Sequence, residues 1–137
     1  MQILEKTYAL LEDRIEHCKQ VKNYIKRLQK VKNQRVMVEG SYDIQLTNWR
    51  RCKRIINNIQ DNTCENREED LTFLKTTFLE DITKMKESCQ KGIDKLSTSE
   101  KTEQDPVNQE NKETLLPKLE QSLKDLEETY QELYNFN

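Results

Sequence analysis

The sequence predicts an all-α fold, an elongated antiparallel helical bundle with coiled-coil character, made of three N-terminal helices plus a tethered C-terminal amphipathic helix. Three observations predict it. Gly and Pro occur only twice each in 137 residues, too few for the tight turns that a β or α/β fold requires. Apolar residues recur at steps of three and four over most of the chain, which aligns them on one face of a helix. Hydrophobic residues make up 34% of the chain against 35% charged, below the roughly 45–50% of a typical globular protein. Buried surface is therefore expected in narrow helix-to-helix seams and not in a thick core.

The first helix is read from Leu4, Tyr8, Leu11, Ile15 and Cys18, a regular alternation of four and three. A further step of three reaches Val21, followed by Ile25, Leu28 and Val31, so the stripe rotates as it does at a coiled-coil stammer. Its end is expected near Glu39-Gly40, with Gly40 as a left-handed C-cap. The second helix carries Tyr42, Leu46, Trp49, Cys52, Ile56 and Ile59, with Ser41 or Asp43 as N-cap. It fades into Asp61–Asn66 (DNTCEN), rich in residues that favour turns and caps. With neither Gly nor Pro in that stretch, a continuous rod through helices two and three stays open as an alternative.

The third helix shows Leu71, Leu74, Phe78, Ile82, Met85, Cys89, Ile93 and Leu96, preceded by Glu68, Glu69 and Asp70 at the positive end of its dipole. These three helices form a predicted domain over residues 1–96. Residues 97–113 contain one apolar side chain besides Pro106, namely Val107, and are expected to be a flexible acidic-polar linker. Residues 114–137 follow as a heptad helix: Leu116, Leu119, Leu123, Leu126, Tyr130 and Leu133 form one apolar ridge. Thr114 is its expected cap, and Pro117 falls in its first turn.

The net charge of −2 conceals a division between the two halves. Residues 1–60 hold 13 Lys/Arg and 6 Asp/Glu, a net of +7, and residues 61–137 hold 10 and 19, a net of −9. Between Lys19 and Arg35 there are seven basic residues and no acidic one. Lys19, Lys22, Lys26, Arg27 and Lys30 gather on one side of the helix, opposite Val21, Tyr24, Ile25, Leu28 and Val31. The expectation is a charged face that meets an acidic partner. A second basic cluster, Arg50, Arg51, Lys53 and Arg54, follows Trp49.

Chemistry-bearing motifs are absent. His17 and Cys18 are neighbours on a helix and point about 100° apart, so they do not form a nucleophile pair. Cys18, Cys52, Cys64 and Cys89 lie far apart, without the short local spacing of a zinc site, and are expected as reduced thiols. No phosphate-cradling or metalloprotease motif occurs, so no enzymatic activity, cofactor or metal is expected. Tyr130-Gln131-Glu132-Leu133 resembles the short aromatic-x-x-aliphatic peptides bound by sorting and autophagy adaptors, although both end residues are also ridge positions. Ser97-x-x-Glu100 and Thr102-x-x-Asp105 match acidic-directed phosphoacceptor patterns of a kind that recurs by chance.

These readings lead to an expected role as a non-enzymatic structural or adaptor subunit of a multiprotein complex, bound to other helical subunits through coiled-coil seams. The expected partner-binding residues are Leu116, Leu119, Leu123, Leu126, Tyr130, Leu133 and Trp49. In make-up the chain resembles, as a class, subunits of kinetochore, transcription-scaffold and vesicle-tethering complexes. Two alternatives rank behind: a nucleic-acid-binding protein using Lys19–Arg35 with Arg50–Arg54, and a small helical chaperone or cytoskeletal cofactor. No apolar run reaches the roughly 20 residues of a membrane span, and acidic residues stand where a signal peptide has its apolar core. An intracellular location is expected, with the nucleus ahead of the cytoplasm.

Overall fold

A computed structural model describes the backbone of residues 3–32, 39–98 and 106–137, and the side chains of 3–28, 42–97 and 113–137. Four helices account for nearly all of it: α1 (Glu5–Lys32), α2 (Glu39–Gln60), α3 (Arg67–Thr98) and α4 (Pro106–Asn135). No strand occurs among the described residues. The chain divides into two compact units, one of residues 1–78 with Asn137 and one of residues 79–136. The helix α3 contributes to both.

In the first unit α1 packs along α2. Successive contacts run from Ile3, whose N–H donates to Gln60 Oε1 at 3.0 Å, through Asn57 Nδ2 donating to Tyr8 Oη at 3.4 Å, to Cys18 Sγ against the Tyr42 carbonyl at 3.5 Å. The Lys22 ammonium pairs with the Asp43 carboxylate beyond them. Leu11, Ile15, Cys18, Leu46, Trp49, Cys52, Ile55, Ile56, Leu74 and Phe78 are buried. Leu4, just before α1, takes a left-handed backbone with φ of 50°. That conformation costs about 1–2 kcal/mol for an L-residue. Burying the Leu4 side chain returns about 1.5–3 kcal/mol, enough to offset it.

Helices α2 and α3 are separate, and the turn between them is built by two asparagines. Asn62 is left-handed with φ of 57°. Its N–H bonds the Ile59 carbonyl at 3.2 Å, and the Thr63 N–H reaches back to the Asn58 carbonyl at 2.8 Å. This pair of bonds is the Schellman closure, with Asn in the position usually held by Gly. Asn66 then caps α3: its Oδ1 accepts from the Glu69 N–H at 3.1 Å and its Nδ2 donates to Glu69 Oε2 at 3.1 Å. The one-rod alternative is thereby excluded.

Three expected boundaries are corrected. Gly40 does not end α1: it lies in the first turn of α2 and its φ is not positive. The first turn of a helix has no internal partners for its N–H groups, so Gly is tolerated there. The expected 97–113 linker is in large part helix, because α3 continues to Thr98 and α4 begins at Pro106; residues 99–105 lie outside the described residues. Gln109, Glu110, Lys112 and Glu113 are good helix formers, and Pro106 suits the first helical position. A lack of apolar side chains removes packing, not helicity. Thr114 and Pro117 consequently sit inside α4, and the three-plus-one arrangement gives way to four helices.

Candidate partner-binding surface

Burial along the second unit is graded. On α3, Ile82 is fully buried, whereas Met85, Cys89, Ile93 and Leu96 each keep part of their surface in water. On α4, Leu133, Thr129 and Leu126 are buried, Leu123, Leu119 and Leu116 are partly exposed, and Leu115 is 44% exposed. The expected ridge therefore exists as one face, but its C-terminal part is already used in packing. Its N-terminal part is open.

The two helices approach closely at the open end. A Cβ placed on Gly92 would stand 3.2 Å from Leu119 Cδ1, so Gly92 lets α4 lie against the backbone of α3. At the other end the Lys86 ammonium lies 4.7 Å from the centre of the Tyr130 ring. Tyr130 stacks on Tyr134 with centroids 6.0 Å apart and planes 13° from parallel. Tyr130 is thus engaged within the unit and Leu133 is buried, which leaves the Tyr130–Leu133 peptide motif helical and part of the ridge. Thr129, a buried polar residue that the apolar pattern misses, donates its hydroxyl to the Asp125 carbonyl at 2.8 Å.

Trp49 belongs to the core of the first unit at 5% exposure. It is not available as a partner anchor in this conformation, because its indole is spent on packing. Neighbouring basic residues are partly committed as well: the Arg51 guanidinium lies 3.8 Å from the Phe73 ring centre, and Lys53 is 3.9 Å from Glu12. Arg51, Arg54, Ile55, Asn58 and Asp70 line a shallow cleft in which Asp70 offsets part of the positive charge. Arg50 and Arg54 are exposed.

On α1, Lys19, Lys26 and Arg27 are exposed. Lys22 is drawn toward α2 by Asp43, an acidic partner from the basic half of the chain. The side chain of Lys30 lies outside the described residues. Next to the buried Cys18 and Ile25, Val21 and Leu28 are partly exposed and Tyr24 is 61% exposed.

Two of the thiols are held in the protonated form by their surroundings. Burial pushes the Cys18 thiol above its ordinary range against the pull of Lys22 and Arg14. Burial and then the Asp70 carboxylate, through its charge and a hydrogen bond, raise Cys64. All four cysteines are free. Among the described residues no group of three or more His, Cys, Asp or Glu is placed to hold a metal, and no helix is long and apolar enough to cross a membrane. No family model, curated protein or solved structure matches the chain.

Proposed function

We propose that the chain is a non-enzymatic structural or adaptor subunit that joins other helical proteins through coiled-coil seams, its own helices running antiparallel. The observation that carries this reading is the graded burial of α3 and α4, closed at one end and open at the other. In a pair of helices each seam residue is covered by one neighbour only, and knobs-into-holes packing closes fully when further helices are added. The falling order of α2 partners along α1 supports the antiparallel arrangement. A nuclear setting, which the sequence places slightly ahead of the cytoplasm, is part of the same proposal.

The test is site-specific photo-crosslinking in cells. A crosslinking residue at position 119 or 123 is expected to capture a small, reproducible set of helical proteins. A crosslinker at exposed Lys84 serves as the control and should not capture them. Equal capture at all three positions, or capture of nucleic acid alone, would defeat the adaptor reading, and the latter would favour the phosphate-binding alternative.

A further inference from the structure

The ridge of α4 fills the two apolar positions of a heptad, Leu116, Leu123 and Tyr130 at the first and Leu119, Leu126 and Leu133 at the fourth, so the residues that flank it are fixed. On one flank stand Leu115, Ser122 and Thr129, which carry no charge, and Thr129 is buried. On the other stand Glu113, Glu120 and Glu127, all exposed. Residues seven apart on a helix drift by only about 20°, so these carboxylates form one row. The apolar surface left partly exposed in this unit is Cys89 and Ile93 on α3 with Leu116, Leu119 and Leu123 on α4. Glu120 and Glu127 each follow an open leucine, Leu116 or Leu123, by four residues and are therefore its surface neighbours. Among the described residues none of the three carboxylates is in an ion pair. Of the cations near the row, Lys86 lies over the Tyr130 ring and Lys124 stands further round the helix from the ridge.

We propose that the open flank takes an amphipathic helix of another protein whose apolar stripe is bordered by Lys or Arg at seven-residue spacing. This deepens the helix-seam reading and rests on it. Two arguments select this occupant. Charges at the positions flanking a heptad ridge bridge neighbouring helices and set partner choice, and the open flank here offers one sign only. A helix with an acidic margin, or a phosphate backbone, would set like charge against the Glu row and be repelled. The opposite flank, uncharged and closed at Thr129, gives a partner no charge to read, so the acidic row alone decides which helix seats.

The experiment is a fluorescence-anisotropy titration of the full chain against two labelled synthetic helices of three heptads, with Leu at both ridge positions and either Lys or Glu at every flanking position. It is run in roughly 0.01 M and about 1 M salt, where the Debye length falls from ~30 Å to ~3 Å. Wild type is expected to bind the Lys helix about tenfold or more tightly than the Glu helix in the low salt, with the preference lost in the high salt. Glu120/Glu127→Lys should reverse the preference. Glu16/Glu128→Lys changes the net charge by the same amount at exposed positions, one on α1 and one on the far side of α4 from the ridge, and should keep it. Far-UV circular dichroism checks that each variant is folded; if a double variant is not, Glu120→Lys and Glu128→Lys are compared in the same way. Equal binding of the two helices, or an equal loss in both double variants, overturns the proposal, since net charge and not the row would then be at work. Self-association of the chain that Glu120/Glu127→Lys abolishes overturns it in favour of a second copy. Helical proteins still captured at positions 119 and 123 in the Glu120/Glu127→Lys background remove the basic partner and leave the adaptor reading intact. A Lys-helix preference switched by the row, with no protein captured at 119 or 123, supports the chemistry of the surface and removes the adaptor reading.

Discussion

Gly92→Ala sets two effects of similar size against each other, and the structure decides the sign. Gly is about 0.8–1.0 kcal/mol less favourable than Ala in a helix interior, and Gly92 lies well inside α3. Against that gain, the new methyl would stand 3.2 Å from Leu119 Cδ1 and 3.9 Å from Cδ2, where apolar carbons prefer roughly 3.5–4.0 Å. The needed retreat is a few tenths of an ångström, at the far end of a flexible side chain that is partly exposed. Leu119 can make it with a small torsional change, whereas a pinned side chain forced off its rotamer would lose about 0.5–1.5 kcal/mol. The expected net is a stabilisation of about 0.5–1 kcal/mol. Urea unfolding followed by circular dichroism should show a higher midpoint with an unchanged slope. In a double-mutant cycle with Leu119→Ala the coupling should be below about 0.5 kcal/mol. Destabilisation by more than that amount, relieved in the Leu119→Ala background, would refute the reasoning and show the open end of the seam to be rigid.

At the α2–α3 turn, Asn62→Gly should leave stability unchanged or slightly higher and Asn62→Ala should lower it by about 1–2 kcal/mol, because only the first relieves the left-handed backbone; equal effects in thermal melts would count against the cap. Asn66→Ala removes both bonds to Glu69 and should lower stability by about 1 kcal/mol, read in the same melts. For Cys18 the sign follows from burial: its thiol loses a proton less readily in the folded chain than in the unfolded one. The stabilisation is therefore fully present below the unfolded thiol value of about 8.5 and is lost as pH rises toward the folded value. Denaturation midpoints should decline above that pH, less so in Cys18→Ala, and a flat profile would contradict the burial of the thiol.

Periodicity told which face of each helix turns inward, and it did so for physical reasons. A step of three or four brings side chains back to one side of a 3.6-residue turn, so Leu11, Ile15, Cys18, Leu46, Trp49, Cys52, Leu74, Phe78 and Ile82 were legible as core before any coordinates. Ile55 was not singled out: it stands three residues after Cys52 and four before Ile59, so spacing fits it as well as Ile56, and α2 buries both over a wider arc. Thr7 and Thr129, buried at 0% and 5% exposure, carry no apolar signal at all. Helix ends were harder still: Asn62 does the work of a glycine, Gly40 does the work of an ordinary residue, and 106–113 form helix without an apolar stripe. Above all, spacing marks an apolar face but not how much of it is covered. The open end of the α3–α4 seam, on which the functional reading turns, therefore appears only in the fold.

That open end also limits what kind of association is reasonable. Fully burying a large aliphatic side chain is worth about 1.5–3 kcal/mol, and the open seam residues are already mostly buried, so completing each adds roughly 0.5 kcal/mol. Five such residues give only about 2–3 kcal/mol, less than the estimated 4–15 kcal/mol lost in translational and rotational freedom on association. A single seam is therefore too weak to hold a partner through apolar contact alone. A partner helix that lays apolar side chains of its own into the seam buries a comparable surface and brings the apolar total to about 5 kcal/mol. That total lies inside the range of the opposing term but not clearly above it. Exposed ion pairs supply only about 0–1 kcal/mol each, yet against so narrow a balance a few of them determine whether the complex forms. Salt should consequently act on assembly far more strongly than on the fold of the helices themselves.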